Sequence, residues 1–130
     1  MIKISKKAQY GLRAIVLLAK NYRAKHILSV REIANKEGIP YGFLEKIVLQ
    51  LEKAGLVKGK KGALGGYVLS KSPAKINTND IVSVLEGKES TVNCAFCGRS
   101  KKCLTKNVWR KIDLAIEKTL KSITLKDLIS

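Results

Sequence analysis

Apolar residues recur at helical spacing in five separate stretches of this chain, interrupted by two short runs that alternate like strands. The first stretch carries Leu12, Ile15, Val16 and Ala19, one face of a helix predicted from the N-cap Ser5 to about Asn21. Ile27 and Leu28 form a short extended link. Ser29-Val30-Arg31-Glu32 then has the form of a capping box, in which Ser29 accepts from a free backbone N–H and Glu32 reaches back. The helix it opens turns Val30, Ile33 and Ala34 inward and stops at Gly38. Pro40 suits the first position of the next helix. That helix runs from about Tyr41 to Ala54, with Phe43, Leu44, Ile47, Val48 and Leu51 as its apolar stripe and Gly55 as its stop. Two helices joined by a tight Gly-Ile-Pro turn make a helix-turn-helix.

Leu56 to Lys60 reads as a strand, Lys61 to Gly66 as a glycine-rich tip, and Tyr67 to Ser70 as the returning strand. A β-hairpin directly after a helix-turn-helix is a wing. Thr78 is expected to cap a further helix with Ile81, Val84 and Leu85 inward and Gly87 at its end. A segment rich in Gly, Arg, Ser and Lys follows and is expected to be an exposed loop. Beyond it, Val108, Ile112, Ala115, Ile116 and Leu120 mark a long amphipathic helix, and a last short turn begins at Thr124. The fold class is mainly α with a small β-hairpin: a winged helix-turn-helix followed by a long C-terminal helix. The expected divisions are a DNA-binding unit over 1–87, a cysteine-rich loop over 88–103, and the long helix with its terminal turn over 104–130.

Charge narrows what such a fold meets. The chain of 130 residues carries 26 Lys and Arg against 10 Asp and Glu, a formal +16, and a field of that sign attracts polyanions, DNA above all. The excess is spread over the predicted elements, as in a folded binding module, and is not gathered in a basic tail. The start of the second helix of a helix-turn-helix reaches base edges in the major groove. Here it offers Tyr41, Gly42, Glu45 and Lys46, with Arg31 on the helix before. Lys46 suits a phosphate or a guanine edge and Glu45 a cytosine amino group. Gly42 leaves room for close backbone approach. On the wing, Lys58, Lys60 and Lys61 are the candidate cations, and Lys61 at the tip suits the negative potential of a minor groove. The bland alternative is that these are solvated surface residues and that the tip is merely a tight turn. No apolar run reaches the roughly 20 residues of a membrane span, and the N-terminus lacks a secretory pattern, so a cytosolic protein is expected. No nucleophile with a neighbouring base, His/Asp-rich pocket or phosphate loop points to an enzyme.

The chain's three cysteines stand as Cys94-x2-Cys97-x5-Cys103. Reducing cytosol disfavours a structural disulfide and leaves their thiolates for metal or redox chemistry. Zinc and iron–sulfur clusters both usually take four ligands, and this group supplies three. Arg99, Lys101 and Lys102 beside it favour the thiolate form. Iron–sulfur ligation, zinc binding and bare reactive thiols all remain open from spacing alone, and His26, the single histidine, reads as a surface residue.

Three groups of residues together resemble the Rrf-two family of bacterial winged-helix regulators, with its IscR, NsrR and CymR types. They are Tyr10-Gly11-Leu12-Arg13, Phe43-Leu44-Glu45 and the wing Gly62-Ala63-Leu64-Gly65-Gly66-Tyr67. Cys103-Leu104-Thr105, Trp109-Arg110 and Ser122-Ile123-Thr124-Leu125 with Leu128 look particularly like the IscR type. The resemblance covers nearly the whole chain. It implies a homodimer on a double-stranded DNA operator, with the long helix packed on its counterpart. It also implies base and minor-groove contacts for Glu45 and Lys61. For Cys94, Cys97 and Cys103 it implies an iron–sulfur cluster, 2Fe–2S before 4Fe–4S, and zinc stays the alternative left by the thiols themselves. Two features depart from the IscR pattern. That pattern has two equal cysteine gaps of the size seen between Cys97 and Cys103, so Cys94 is displaced. Lys106 stands where IscR-like proteins have a histidine, and Gln9 where NsrR-like proteins have an aspartate ligand.

Overall fold

A computed structural model describes residues 3–61, 65–87 and 104–130. Among the described residues, α-helices, a two-stranded hairpin and a short 3-10 turn follow one another: α1 Lys6–Lys20, α2 Val30–Glu37, α3 Tyr41–Lys53, β1 Val57–Lys60, β2 Gly66–Leu69, the turn Pro73–Lys75, α4 Thr78–Glu86, α5 Lys106–Lys121 and α6 Leu125–Ile129. The fold class is the expected one, mainly helical with a winged helix-turn-helix.

The helix boundaries follow from local chemistry. Ser5 accepts from Ala8 N at 3.2 Å to start α1, and the Ser29–Glu32 capping box opens α2. Gly38 and Gly55, at φ 65° and 79°, take the left-handed conformation that ends a helix and that residues with a Cβ rarely adopt. The last element begins at Thr124 as expected, with Thr124 and Asp127 paired reciprocally in a capping box.

Several expectations about ends and faces are corrected. Pro40 is the N-cap residue of α3 and not its first helical residue. Asn77, not Thr78, caps α4, forming a capping box with Asp80. Thr78 is instead buried, with its hydroxyl donating to the Leu120 carbonyl at 2.5 Å. Phe43 does not join the core: it is 37 % exposed and stands edge-on to Tyr10, ring centroids 5.6 Å apart. It sits at the outer edge of the α3 stripe, next to the fully buried Leu44. Val82, absent from the expected stripe of α4, is buried, while Val84 is half-buried.

The core lies between α1, α2, α3 and α4. Ile15, Leu28, Ile33, Leu44, Ile47 and Ile81 have no exposed surface. Leu125 at the start of α6 is equally buried, and its N–H donates to the Ile76 carbonyl at 2.9 Å. The C-terminal turn thus returns to the first body of the fold.

The hairpin has the register Val57↔Leu69, Lys58↔Val68, Gly59↔Tyr67, Lys60↔Gly66. The link at Leu28 does more than connect. It bridges Tyr67 antiparallel, with Tyr67 N donating to Leu28 O at 2.7 Å and Leu28 N to Tyr67 O at 3.2 Å. The wing is therefore fastened along β2 to the body and left open along β1.

Helix α5 is amphipathic yet contains no buried residue. Val108, on the apolar stripe with the half-buried Ile112, Ile116 and Leu120, is 49 % exposed, and Leu114, on the opposite side of the helix, is 56 % exposed. Such a stripe normally faces a core; here it is only partly covered within one chain.

Candidate nucleic-acid interface and cysteine segment

The inner stripe of α3, Leu44, Ile47, Val48 and Leu51, is buried and fixes the rotation of the helix. That leaves Tyr41, Gly42, Glu45 and Lys46 exposed on the outer side with Phe43 and Leu49. Arg31 reaches across from α2 and lies over the Tyr41 ring at 5.0 Å, a cation–π contact that holds both side chains at the start of α3. Open space surrounds the position a Gly42 side chain would take.

Lys58, Lys60 and Lys61 are all exposed. Lys58 and Lys60, two apart on β1, share one face of the strand. Lys61 opens the tip, of which residues 62–64 lie outside the described part. Gly66 serves the protein's own packing. A Cβ there would strike the Leu28 carbonyl oxygen and lie 2.8 Å from Ser29 N, so the close pairing of β2 with Leu28 requires glycine.

Several residues not anticipated as part of this surface adjoin it. Lys6, Tyr10 and Arg13 follow one another at helical spacing on α1, with the two cations 5.9 and 5.7 Å from the Tyr10 ring. Tyr10 meets Phe43 of α3, so the alternating cationic and aromatic side chains continue onto α1. Their spacing was legible as a stripe, although nothing in it announced the neighbouring helix. Arg13 also pairs with Glu37 at 3.4 Å. Glu52, in the last turn of α3, accepts from Gly59 N at 3.1 Å and joins the helix to the wing. Burial pushes the Tyr67 phenol above its ordinary value, and the Glu52 and Glu45 carboxylates push it further.

Cys94, Cys97 and Cys103 lie outside the described residues, as do Arg99, Lys101 and Lys102. The residues that lead into that segment are described. Glu86, the last residue of α4, accepts from Ser5 N at 2.8 Å and from the Ser5 hydroxyl, at the start of α1. One residue earlier, Leu85 packs where a side chain on Gly11 would stand, with Ile47 of α3 3.3 Å from the same point. The end of α4 thus touches the start of α1 and, across Gly11, adjoins the buried face of α3. Lys106, Gln9 and His26 are exposed, and the Gln9 side chain donates to the Ile4 carbonyl at 2.8 Å. No helix among the described residues is long and apolar enough to cross a membrane.

A family model described as "Rrf2: Iron-dependent Transcriptional regulator" matches residues 4–130. The transcriptional regulator CymR of Bacillus subtilis is 38 % identical over 129 residues, covering 99 % of this chain and 91 % of its own. Its solved structure, that of the global cysteine regulator of that organism, superposes with a TM-score of 0.84 over 99 % of this chain and 97 % of that one. The structure of IscR from T. potens is also 38 % identical, with a TM-score of 0.81 over 98 % of this chain and 85 % of that one. The transcriptional regulator IscR of Escherichia coli is 28 % identical over 132 residues, covering 99 % of this chain and 81 % of its own.

Proposed function

This chain belongs to the Rrf2 family and is a DNA-binding transcriptional regulator; on that premise we propose that it is a homodimer whose operator affinity is set by an iron–sulfur cluster at Cys94, Cys97 and Cys103. The signal is iron–sulfur supply, oxidative stress or nitric oxide, read in the cytoplasm. Three neighbouring thiolates suit such a cluster, and the cationic residues beside them offset its negative charge. When bound, the cluster supplies redox and ligand-exchange chemistry that a regulator can sense. Neither Lys106 nor Gln9 serves as a fourth ligand in the manner of the family, so that ligand comes from elsewhere, with His26, Asn107, the partner chain and a small exogenous ligand as its sources.

The observation that carries this reading is the junction at the end of α4. The cysteine-bearing segment starts immediately after Gly87, and the two residues before Gly87 contact the start of α1 and adjoin the buried face of α3. A change in how residues 88–103 are held is therefore felt where α1 and α3 pack. In this division, residues 1–87 bind DNA, 88–103 sense, and 104–130 supply the dimer helix with its terminal turn. Val108 and Leu114 of α5, exposed in one chain, support dimerisation. Arg31, Tyr41, Gly42, Glu45 and Lys46 meet the major groove, while Lys58, Lys60 and Lys61 meet the backbone and minor groove. A ligand at the cysteines shifts the population between two dimer spacings only by its differential affinity for them.

The test is anaerobic purification with visible absorption and assay of iron, sulfide and zinc, followed by operator binding of wild type and Cys97→Ala. Matched iron and sulfide, lost together with regulated operator affinity in Cys97→Ala, is the expected result. Unchanged cofactor content and affinity in the variant ends the sensing proposal.

A second reading is favoured by the 38 % identity to CymR, equal to that with the T. potens IscR. In it the same winged helix responds through zinc, redox-active thiols or a partner protein. Colourless protein containing zinc or no metal decides for this reading.

A further inference from the structure

The outer edge of β1 lies against the last turn of α3, on the side of the hairpin away from the Leu28 bridge. Tyr67 commits its main-chain N–H and carbonyl to Leu28, so Gly59, its register partner, receives no hydrogen bond from it. An exposed strand edge with an unpaired N–H is a template for another strand. Here Glu52 Oε2 fills that place at 3.1 Å. A Cβ on Gly59 would lie 2.8 Å from the same oxygen, so the carboxylate would have to shift, and 3.4 Å from the Tyr67 ring. Glu52 is half-buried. It follows the buried Leu51 in the last turn of α3, a helix whose other end carries Glu45. Its charge is unfavourable for DNA binding, because a carboxylate between two DNA-facing elements repels phosphate. Its geometric role is the more direct account of its position.

We propose that Glu52 is a positioning residue for operator recognition: its hydrogen bond to Gly59 fixes the wing relative to α3, so that wing cations and the residues at the start of α3 engage one DNA site in a set register. The inference rests on the DNA-reading roles given above. A protein with a braced wing pays no ordering cost for it on binding and gains the most on DNA where both elements fit. Loss of the brace therefore lowers discrimination between operator and other DNA, while non-specific attraction, which needs only charge, persists or rises.

The experiment uses a duplex selected by the full-length wild-type protein from random DNA, compared with a scrambled duplex at one salt concentration. Glu52→Gln keeps an acceptor oxygen and removes the charge; Glu52→Ala removes both. The expected result is a specificity ratio within about threefold of wild type for Glu52→Gln and about tenfold lower for Glu52→Ala, the range of one poorly matched base pair. Gly59 amide exchange, followed by NMR, is expected to accelerate in Glu52→Ala only, and thermal unfolding to move by a few degrees at most. An unchanged ratio in Glu52→Ala overturns the proposal, as does an equal loss in both variants, which assigns the effect to charge. Failure of the wild type to select any sequence overturns the DNA-reading roles, and the brace with them.

Discussion

Two glycines on the candidate interface answer to opposite demands, and substitution separates them. Gly42 lies in the first turn of α3 with nothing within 4 Å of the position a Cβ would take. Alanine there relieves the entropic cost of a helical glycine, about 0.5–1 kcal/mol. Gly42→Ala is therefore expected to raise the denaturant midpoint slightly while weakening operator binding, because in the proposed docking the added methyl stands where the backbone approaches DNA. Equal or tighter binding in that variant removes Gly42 from the interface. Gly66→Ala pushes a methyl into the Leu28 carbonyl and the Ser29 amide, which are backbone atoms with little freedom to move. Overpacking of this kind costs about 1–3 kcal/mol, so equilibrium unfolding should report a loss of that size. The spacing of glycines identified a wing but did not separate a glycine that faces outward from one that faces a neighbouring strand. Phe43 shows the same limit. Its periodicity matched the buried stripe, yet it stands at the outer edge of that stripe beside the fully buried Leu44, and the ring finds Tyr10 instead.

Elements were legible where local chemistry decides them and less so where separate segments meet. The capping box at Ser29, the start of the last turn at Thr124 and the stop glycines Gly38 and Gly55 are short-range signals, and each stands where the residues announced it. The bridge from Leu28 to Tyr67 and the brace from Glu52 to Gly59 join different elements, and no periodicity within one element exposes them. Thr78 was misread for a related reason: its hydroxyl is used by Leu120 of α5, leaving the cap to Asn77. The short helix α6 shows how a local cap can hold a distant contact. Asp127 accepts from Thr124 N at 2.9 Å, and Thr124 Oγ1 accepts from Asp127 N at 3.2 Å. The bond from the Thr124 N–H foremost, and then the Thr124 hydroxyl, holds the Asp127 carboxyl below its ordinary value. A lowered carboxylate pKa adds stability above the unfolded-state value, and this is lost as pH falls through the folded-state value. Acidification below the ordinary carboxylate range should therefore loosen α6 and speed exchange of the Leu125 amide, which is bonded to Ile76. In Asp127→Asn that acid-induced step should be absent; its persistence would place the titrating group elsewhere.

For the whole molecule, net charge and assembly make one joint prediction. A formal +16 draws the protein to any DNA, and each phosphate neutralised adds about 0.9 to the slope of log affinity against log salt. If α5 pairs two chains, each wing contributes its cations once and the dimer counts them twice. Lys61→Ala should then lower the slope by about two in the dimer, with a nearly uniform loss across sequences. Glu45→Ala, which removes the acceptor proposed to face the bases and no cation, should change sequence preference and leave the slope nearly intact. Val108→Asp places a charge on the exposed apolar stripe of α5, where burial against a second chain makes an unpaired carboxylate costly. Sedimentation should show this variant as a monomer at concentrations where wild type is a dimer. Its salt slope should fall to about half, since only one chain's cations then meet each site. Because Val108 is already half-exposed in the single chain, thermal unfolding of the separated chain should be little affected by the substitution itself. A variant that remains dimeric with an undiminished slope would move the dimer contact away from α5, and the two measurements agree only if the surface that pairs the chains also sets how many phosphates they reach.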